Sequence, residues 1–177
     1  MDVLIVVDMQ NDFIDGALGT ERAVEILPAV EKRIRAFPGK VIFTKDTHET
    51  KYLDTLEGKN LPVEHCIRGT DGWEIREELL RAASCYEVVE KPTFGSVSLA
   101  KKLEEDPDFH PETDTITLIG VCTDICVISN ALMLRATFPN TQVVVDAACC
   151  GGVSPQNHAT ALAAMKPCQI TILNENC

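Results

Sequence analysis

Six short stretches of the chain are apolar almost without interruption: Val3–Val7, Val41–Thr44, Tyr86–Val89, Thr115–Ile119, Gln142–Val145 and Ile170–Leu173. They are rich in Val and Ile and lack strict alternation. A strand reads this way when both of its faces are covered, as in a parallel sheet. Between them the apolar period lengthens to that of a helix. Thr20–Ala36 carries Val24, Leu27, Val30 and Ile34 at helical spacing, and Trp73–Ala83 carries Ile75, Leu79 and Leu80. Leu99–Leu103, Ile125–Phe138 and Pro155–Met165 complete the helical set. This alternation predicts an α/β fold: one domain over residues 1–177, with a doubly wound, mainly parallel six-stranded sheet, helices on both faces and right-handed crossovers. Glu104-Glu105-Asp106-Pro107-Asp108 reads as a helix end and turn. The segment from His48 to Trp73 has little periodicity, and loops of that length inside compact domains are usually functional.

Composition narrows the picture. A chain of 177 residues buries roughly 70% of its unfolded surface and needs no covalent staple. The formal charge of −11 repels phosphate backbones and anionic lipid, so neither nucleic acid nor a membrane surface is an expected partner. The opening residues carry no basic n-region, and the run Val3–Val7 is too short for a signal segment or a membrane span. A cytoplasmic protein with reduced thiols is therefore expected. Its eight cysteines do not read as a disulfide framework, and Cys85, Cys168 and Cys177 read as ordinary thiols.

Ligands of open parallel sheets bind beyond the carboxyl ends of the strands. The first predicted strand runs into Asp8, the second into Asp46 and His48, the third into Lys91, and the fourth into Gly120-Val121-Cys122-Thr123-Asp124-Ile125-Cys126. Any one of these has a plainer reading, since an Asp after a strand is often a helix cap. Together they deliver acid, imidazole, ammonium and thiol to one rim. Cys126 falls where the chain turns into a helix, so the helix dipole and Lys91 are expected to lower its pKa, with Asp8 as the proton acceptor. No His is placed to act as the base of a papain-like dyad.

Three blocks, Asp8-Met9-Gln10-Asn11-Asp12-Phe13, Lys91-Pro92-Thr93-Phe94-Gly95-Ser96 and Gly120-Val121-Cys122-Thr123-Asp124-Ile125-Cys126-Val127, resemble the signatures of the isochorismatase-like cysteine hydrolases, and among these the nicotinamidases most. The resemblance runs in order along nearly the whole chain. It implies the isochorismatase-like, Rossmann-like fold, an Asp8–Lys91–Cys126 triad and a cis peptide between Val121 and Cys122. It also implies an oxyanion hole made by the N–H groups of Cys122 and Cys126, with Cys126 rather than Cys122 as the nucleophile. A zinc pair from Cys122 and Cys126 is not expected, because no second Cys pair at ligand spacing follows and Cys149-Cys150 are adjacent.

Asp46-Thr47-His48, Glu57 and His65 look like the family's metal block, with Asp54 competing with Glu57 for the variable ligand. Two imidazoles and two carboxylates suit one divalent ion, zinc first, with iron or manganese as alternatives. Cys66 is not read as a ligand, His110 reads as surface, and His158 follows a good helix N-cap and reads as structural. The resemblance implies that the metal meets the pyridine nitrogen of a nicotinamide-like ring. Phe13 matches an aromatic wall of that ring, and Leu61 stands where the family often has Trp or Phe. The implied reaction turns nicotinamide into nicotinic acid and ammonia, a step of NAD salvage, with a small-molecule amide as partner. Relatives often form dimers or tetramers; the apolar surface around Ala131–Ala136 is either a subunit contact or core. Three other readings stay open: an amidase of carbamoyl or ureido compounds, which usually lacks the metal block; an isochorismatase-type hydrolase, which uses no cysteine nucleophile; and a non-catalytic thiol module.

Overall fold

The computed structural model describes residues 1–175; Cys177 lies outside the described residues. Strands β1 (Val3–Val7), β2 (Lys40–Asp46), β3 (Glu87–Lys91), β4 (Thr115–Val121), β5 (Gln142–Gly151) and β6 (Thr171–Leu173) form one six-stranded sheet in the order β3-β2-β1-β4-β5-β6. Every neighbouring pair is parallel. The strand order reverses between β1 and β4, which is where doubly wound sheets open a crevice for ligands.

Side chains alternate across the sheet, so each strand feeds two cores. Val3, Ile5 and Val7 pack with Leu99 and Leu103 of α6 (Val97–Glu104), Ala131 and Leu134 of α7 (Ile128–Thr137), and Leu162 and Met165 of α8 (Pro155–Met165). Leu4 and Val6 pack on the other face. There they meet Ile14 of α1 (Asn11–Ile14), Ala23 of α2 (Glu21–Glu25), Val30 and Ile34 of α3 (Leu27–Arg35), and Leu79 and Ala82 of α5 (Glu77–Ala82). A short helix α4 (Leu56–Asn60) and a 3₁₀ turn (Tyr52–Asp54) lie in the long loop after β2. Among the described residues no helix is long and apolar enough to cross a membrane.

Several elements depart from the pattern-based expectation. Thr20–Ala36 is two helices that meet at Ile26, with Pro28, which has no N–H to give, in the first turn of the second. The break leaves Val24 exposed instead of in the core. The stretch Trp73–Ala83 is helical only from Glu77. Its first part is claimed by other backbone: Gln10 bridges Ile75 antiparallel, and Arg76 N–H donates to Met9 O at 2.9 Å. Tyr86 lies outside β3, which runs on to Lys91. Ile125–Phe138 is not one α-helix, because Thr123–Val127 forms a π-helical turn ahead of α7. The surface around Ala131–Ala136 divides: Ala131 and Leu134 are core, while Leu132 and Ala136 face outward.

Candidate active site

Adjacent parallel strands bring their carboxyl ends to one rim, and there Asp8, Lys91 and Cys126 meet. Lys91 Nζ lies 2.6 Å from Asp8 Oδ2 and 3.5 Å from Cys126 Sγ, and donates to Thr93 O at 3.1 Å. Asp8 and Lys91 are both 0% exposed. Asp8 sits in the left-handed region at φ 48°, held by Thr44: the Thr44 hydroxyl donates to Asp8 Oδ1 at 2.6 Å and accepts Asp8 N–H at 3.2 Å. Asp8 Oδ2 keeps its close ion pair with Lys91, yet among the described residues no donor is aligned to hydrogen-bond it. It therefore has a lone pair open to a proton.

Burial shapes the protonation of all three groups. Together with the nearby Asp46 carboxylate, it raises the pKa of Asp8 against the pull of Lys91 and Thr44. Burial would depress Lys91, but attraction to Asp8, Cys126 and Asp46 reverses that and holds the ammonium above its ordinary value. The thiol departs from expectation. Burial first, and the Asp8 carboxylate next, push Cys126 well above the usual thiol value, against the pull of Lys91. The resting sulfur is thus a neutral thiol rather than a preformed thiolate. A helix end offers roughly half a charge, too little to offset complete desolvation next to an anion.

The loop carrying Cys126 is anchored from three sides. The peptide between Val121 and Cys122 is cis, and Gly120 just before it has φ 114°. A β-carbon on Gly120 would lie 2.2 Å from Val7 O, so only glycine lets β4 pass β1 this closely. Asn130, fully buried, donates to Cys126 O at 2.8 Å and Phe94 O at 3.0 Å and accepts Ser96 N–H at 2.9 Å. One amide thereby ties the thiol loop to the loop that follows Lys91. Thr123 Oγ1 pairs with His158 Nδ1 at 2.8 Å; burial and Arg22 lower the His158 pKa, which favours the neutral ring. Asp124 accepts Val153 N–H at 2.9 Å and Asn157 Nδ2 at 3.1 Å.

Beside the triad lies a second cluster. One ligand atom each from Asp46, His48, Glu57 and His65 falls within 4.8 Å of the others. His48 Nε2 is 3.1 Å from Asp46 Oδ2 and 3.5 Å from Glu57 Oε1, and His65 Nε2 is 3.7 and 3.8 Å from the same two oxygens. Ligands at roughly 2.0–2.2 Å from one tetrahedral ion are about 3.3–3.6 Å apart, so this donor set fits a divalent metal. His65 Nδ1 lies 2.8 Å from Val63 O, the contact that fixes an imidazole with Nε2 free to ligate. Asp54 is exposed and outside the cluster. Asp46 links the two centres, since its Oδ1 lies 3.4 Å from Lys91 Nζ.

The isochorismatase-domain family model matches residues 2–176. The chain belongs to the isochorismatase family. This isochorismatase-family hydrolase is 26% identical to the nicotinamidase of Schizosaccharomyces pombe, over 97% of this chain and 92% of that one. It is 27% identical to the nicotinamidase of Acinetobacter baylyi, over 81% and 79%. Among solved structures, a nicotinamidase/pyrazinamidase from Bacillus subtilis superposes with a TM-score of 0.81 at 26% identity, covering 98% of this chain and 100% of that one. A pyrazinamidase of Pyrococcus horikoshii in complex with zinc superposes at 0.78 and 26% identity, covering 97% and 98%.

In this hydrolase the residues expected to line a substrate differ in placement. The Phe13 ring is half-buried with its centroid 5.4 Å from that of His65. Leu61 is 39% exposed, and its contribution is a carbonyl that accepts the Tyr52 hydroxyl at 3.0 Å. Sequence reading passed over Thr44, Gln10, Asp12, Asn130 and Trp73, which hold the site from behind. Gln10 clamps Asp46, donating to its carbonyl at 2.8 Å and accepting its N–H at 2.7 Å. Trp73 donates to Thr47 Oγ1 at 2.8 Å while Lys45 Nζ lies 3.1 Å from its ring centroid. The only sequence signal for Gln10 and Asp12 was their place in the first signature block.

Proposed function

We propose that this chain is a metal-assisted cysteine amidohydrolase that converts nicotinamide to nicotinic acid and ammonia through a thioester on Cys126, within NAD salvage in the cytoplasm. The observation that carries the reading is one rim holding a thiol–carboxylate–ammonium group with a four-donor cluster bridged to it by Asp46. The likeness to nicotinamidases supports the choice of amide.

Asp8 Oδ2 takes the thiol proton as Sγ attacks the amide carbonyl carbon. The N–H groups of Cys122 and Cys126 receive the developing oxyanion, each such donor contributing about 3–4 kcal/mol. Asp8 passes the proton to the amide nitrogen, the C–N bond breaks, and ammonia leaves a thioester. Asp8 then removes a proton from water as its oxygen adds to the thioester carbonyl. Collapse expels the sulfur, which recovers that proton from Asp8, and the acid is released. Lys91 stays protonated throughout and balances the negative charge that moves between Asp8 and Sγ. Phe13 walls one side of the ring and Leu61 lies at the rim. Asp46, His48, Glu57 and His65 would hold a divalent ion, zinc in the first instance, which would supply Lewis acidity toward the pyridine nitrogen.

The test is ammonia release from nicotinamide, pyrazinamide and a panel of ureido amides, with and without a chelator. Nicotinamide and pyrazinamide are expected to turn over and to slow when the metal is stripped. Faster release from a ureido compound, indifferent to chelator, would sink the reading.

A further inference from the structure

Asp12 is the one carboxylate of the first signature block that the chemistry above does not use. Residues 9–12 run against the far end of the long loop. Arg76 N–H donates to Met9 O, Asn11 N–H to Glu74 O and Asp12 N–H to Gly72 O, each at 2.9 Å. The Asn11 amide donates to Asp71 O at 2.9 Å, and Gln10 Nε2 to Trp73 O at 2.8 Å. The Asp12 side chain reaches further, to the part of the loop that carries a metal ligand. Its Oδ2 accepts Cys66 N–H at 2.7 Å, and its Oδ1 accepts Ala17 N–H at 3.2 Å.

That Cys66 N–H belongs to the peptide joining His65 to Cys66. Cys66 itself lies in the left-handed region at φ 47°, a conformation that a side chain with a β-carbon resists. On its other side, Cys66 O accepts His48 N–H at 3.0 Å. The strained residue therefore sits between the two imidazoles of the cluster and is held by a bond at each end. Asp12 packs directly on two glycines: a β-carbon on Gly72 would lie 2.2 Å from its Oδ2, and one on Gly16 would lie 2.7 Å from its Oδ1.

We propose that Asp12 is a positioning residue for His65. Its charged acceptor fixes the peptide after His65 and the left-handed turn at Cys66, so that the imidazole faces Asp46 and Glu57. The inference rests on the metal reading above and adds that the ligand set is assembled by an acid on a different element, α1. Asparagine in its place satisfies one of the two N–H groups and never both, and glutamate has no room.

The experiment is zinc affinity of the full chain, by chelator competition, for wild type, Asp12→Asn and Asp12→Ala. Partners that hold metal ligands are typically worth about 10–100-fold in affinity; Asn is expected near the lower figure and Ala near the upper. Amide hydrogen exchange at Cys66 in the metal-free protein supplies a second readout that needs no variant, and protection is expected. Variants that bind zinc as the wild type does would overturn the proposal. So would an unprotected Cys66 amide, or loss of zinc only together with collapse of the metal-free fold by circular dichroism. A wild type that fails to bind zinc refutes the metal reading instead, and the exchange of Cys66 then still decides whether the latch exists.

Discussion

Asp8 and Lys91 form an ion pair sealed from water, and the consequence of breaking it differs from that of breaking a surface pair. Removing one partner of such a pair leaves the other charge buried and uncompensated, at a cost of about 3–5 kcal/mol. Asp8→Asn should abolish ammonia release, while Lys91→Met, which strands the buried Asp8 side chain without its cation, should lower the unfolding free energy by that order, whereas the surface pair Arg35–Glu31 contributes about 0–1 kcal/mol at most. A Lys91→Met protein as stable as the wild type would refute the claim that the pair is dry and charged. The two cysteines of the fourth-strand loop separate by contact. Cys126 Sγ meets Lys91 Nζ, which pairs with Asp8, while Cys122 is half-buried against the opposite core. Cys126→Ala should eliminate turnover and Cys122→Ala should retain most of it; the reverse ranking of rates would overturn the assignment. Both acidic and thiol pKa values here are set by desolvation, which is a property of depth. No sequence pattern reports depth, and the expected low thiol pKa failed for that reason.

The junction of β1 and β4 carries the site because both strands end beside the point where the order reverses. Gly120 is what allows this closeness. Gly120→Ala forces a β-carbon onto Val7 O and an unfavourable φ, which costs about 1–3 kcal/mol for the backbone alone. Thermal melting should register that loss, and turnover should fall further than stability, since the displaced segment leads to Cys126. The helix behind the thiol loop is built with care as well. Ser154 caps α8 by accepting Asn157 N–H at 3.1 Å, and Asn157 in turn holds Asp124. Strand existence was readable from runs such as Val3–Val7 because burial on both faces demands continuous apolar character. Helix limits were less readable. Pro28 split one amphipathic run, and the run from Trp73 lost its first turn to pairing with residues 9–12, which periodicity does not encode.

Away from the site, Lys40 joins the amino ends of β2 and β3 to the turn after α6, at 2.6 Å from both Glu87 Oε1 and Asp106 Oδ2. Asp106 is held below its ordinary value of 3.8, chiefly by the bond from Lys40. Glu87 is held below 4.5 by its bonds from Lys102 and Lys40. Depressed folded pKa values mean that the unfolded chain takes up protons first, so this stability is present above about pH 4–5 and is lost as pH falls through the folded values. Burial pulls Lys40 down, but its two acid partners raise it above 10.5 overall, so its share is lost only as pH rises beyond that value. Asp106→Asn should flatten the acid limb of the melting-temperature profile without moving its neutral plateau by more than a surface pair allows. A divalent ion held by the four-donor cluster would act on the whole molecule by mass action. Zinc at about 100 times its dissociation constant should add roughly 2.7 kcal/mol to the folded state, and His48→Ala should erase the corresponding rise in melting temperature.

The chain's one-dimensional pattern determined the α/β class, the six strands and the short list of chemistry-bearing residues. Apolar continuity, turn residues and the signature blocks are local, and local signals are what a linear order of residues can carry. The convergence of Asp8, Lys91 and Cys126 followed from the parallel order of the strands, which lines up their carboxyl ends. The protonation of that group, the π-turn at Thr123–Val127, the outward placement of Leu61 and the support given by Thr44, Gln10, Asp12 and Asn130 were decided in three dimensions. Each depends on which distant backbone or charge comes to lie within a few ångströms, and on how much water is left there. Those are quantities of packing, and they exist only once the chain has closed on itself.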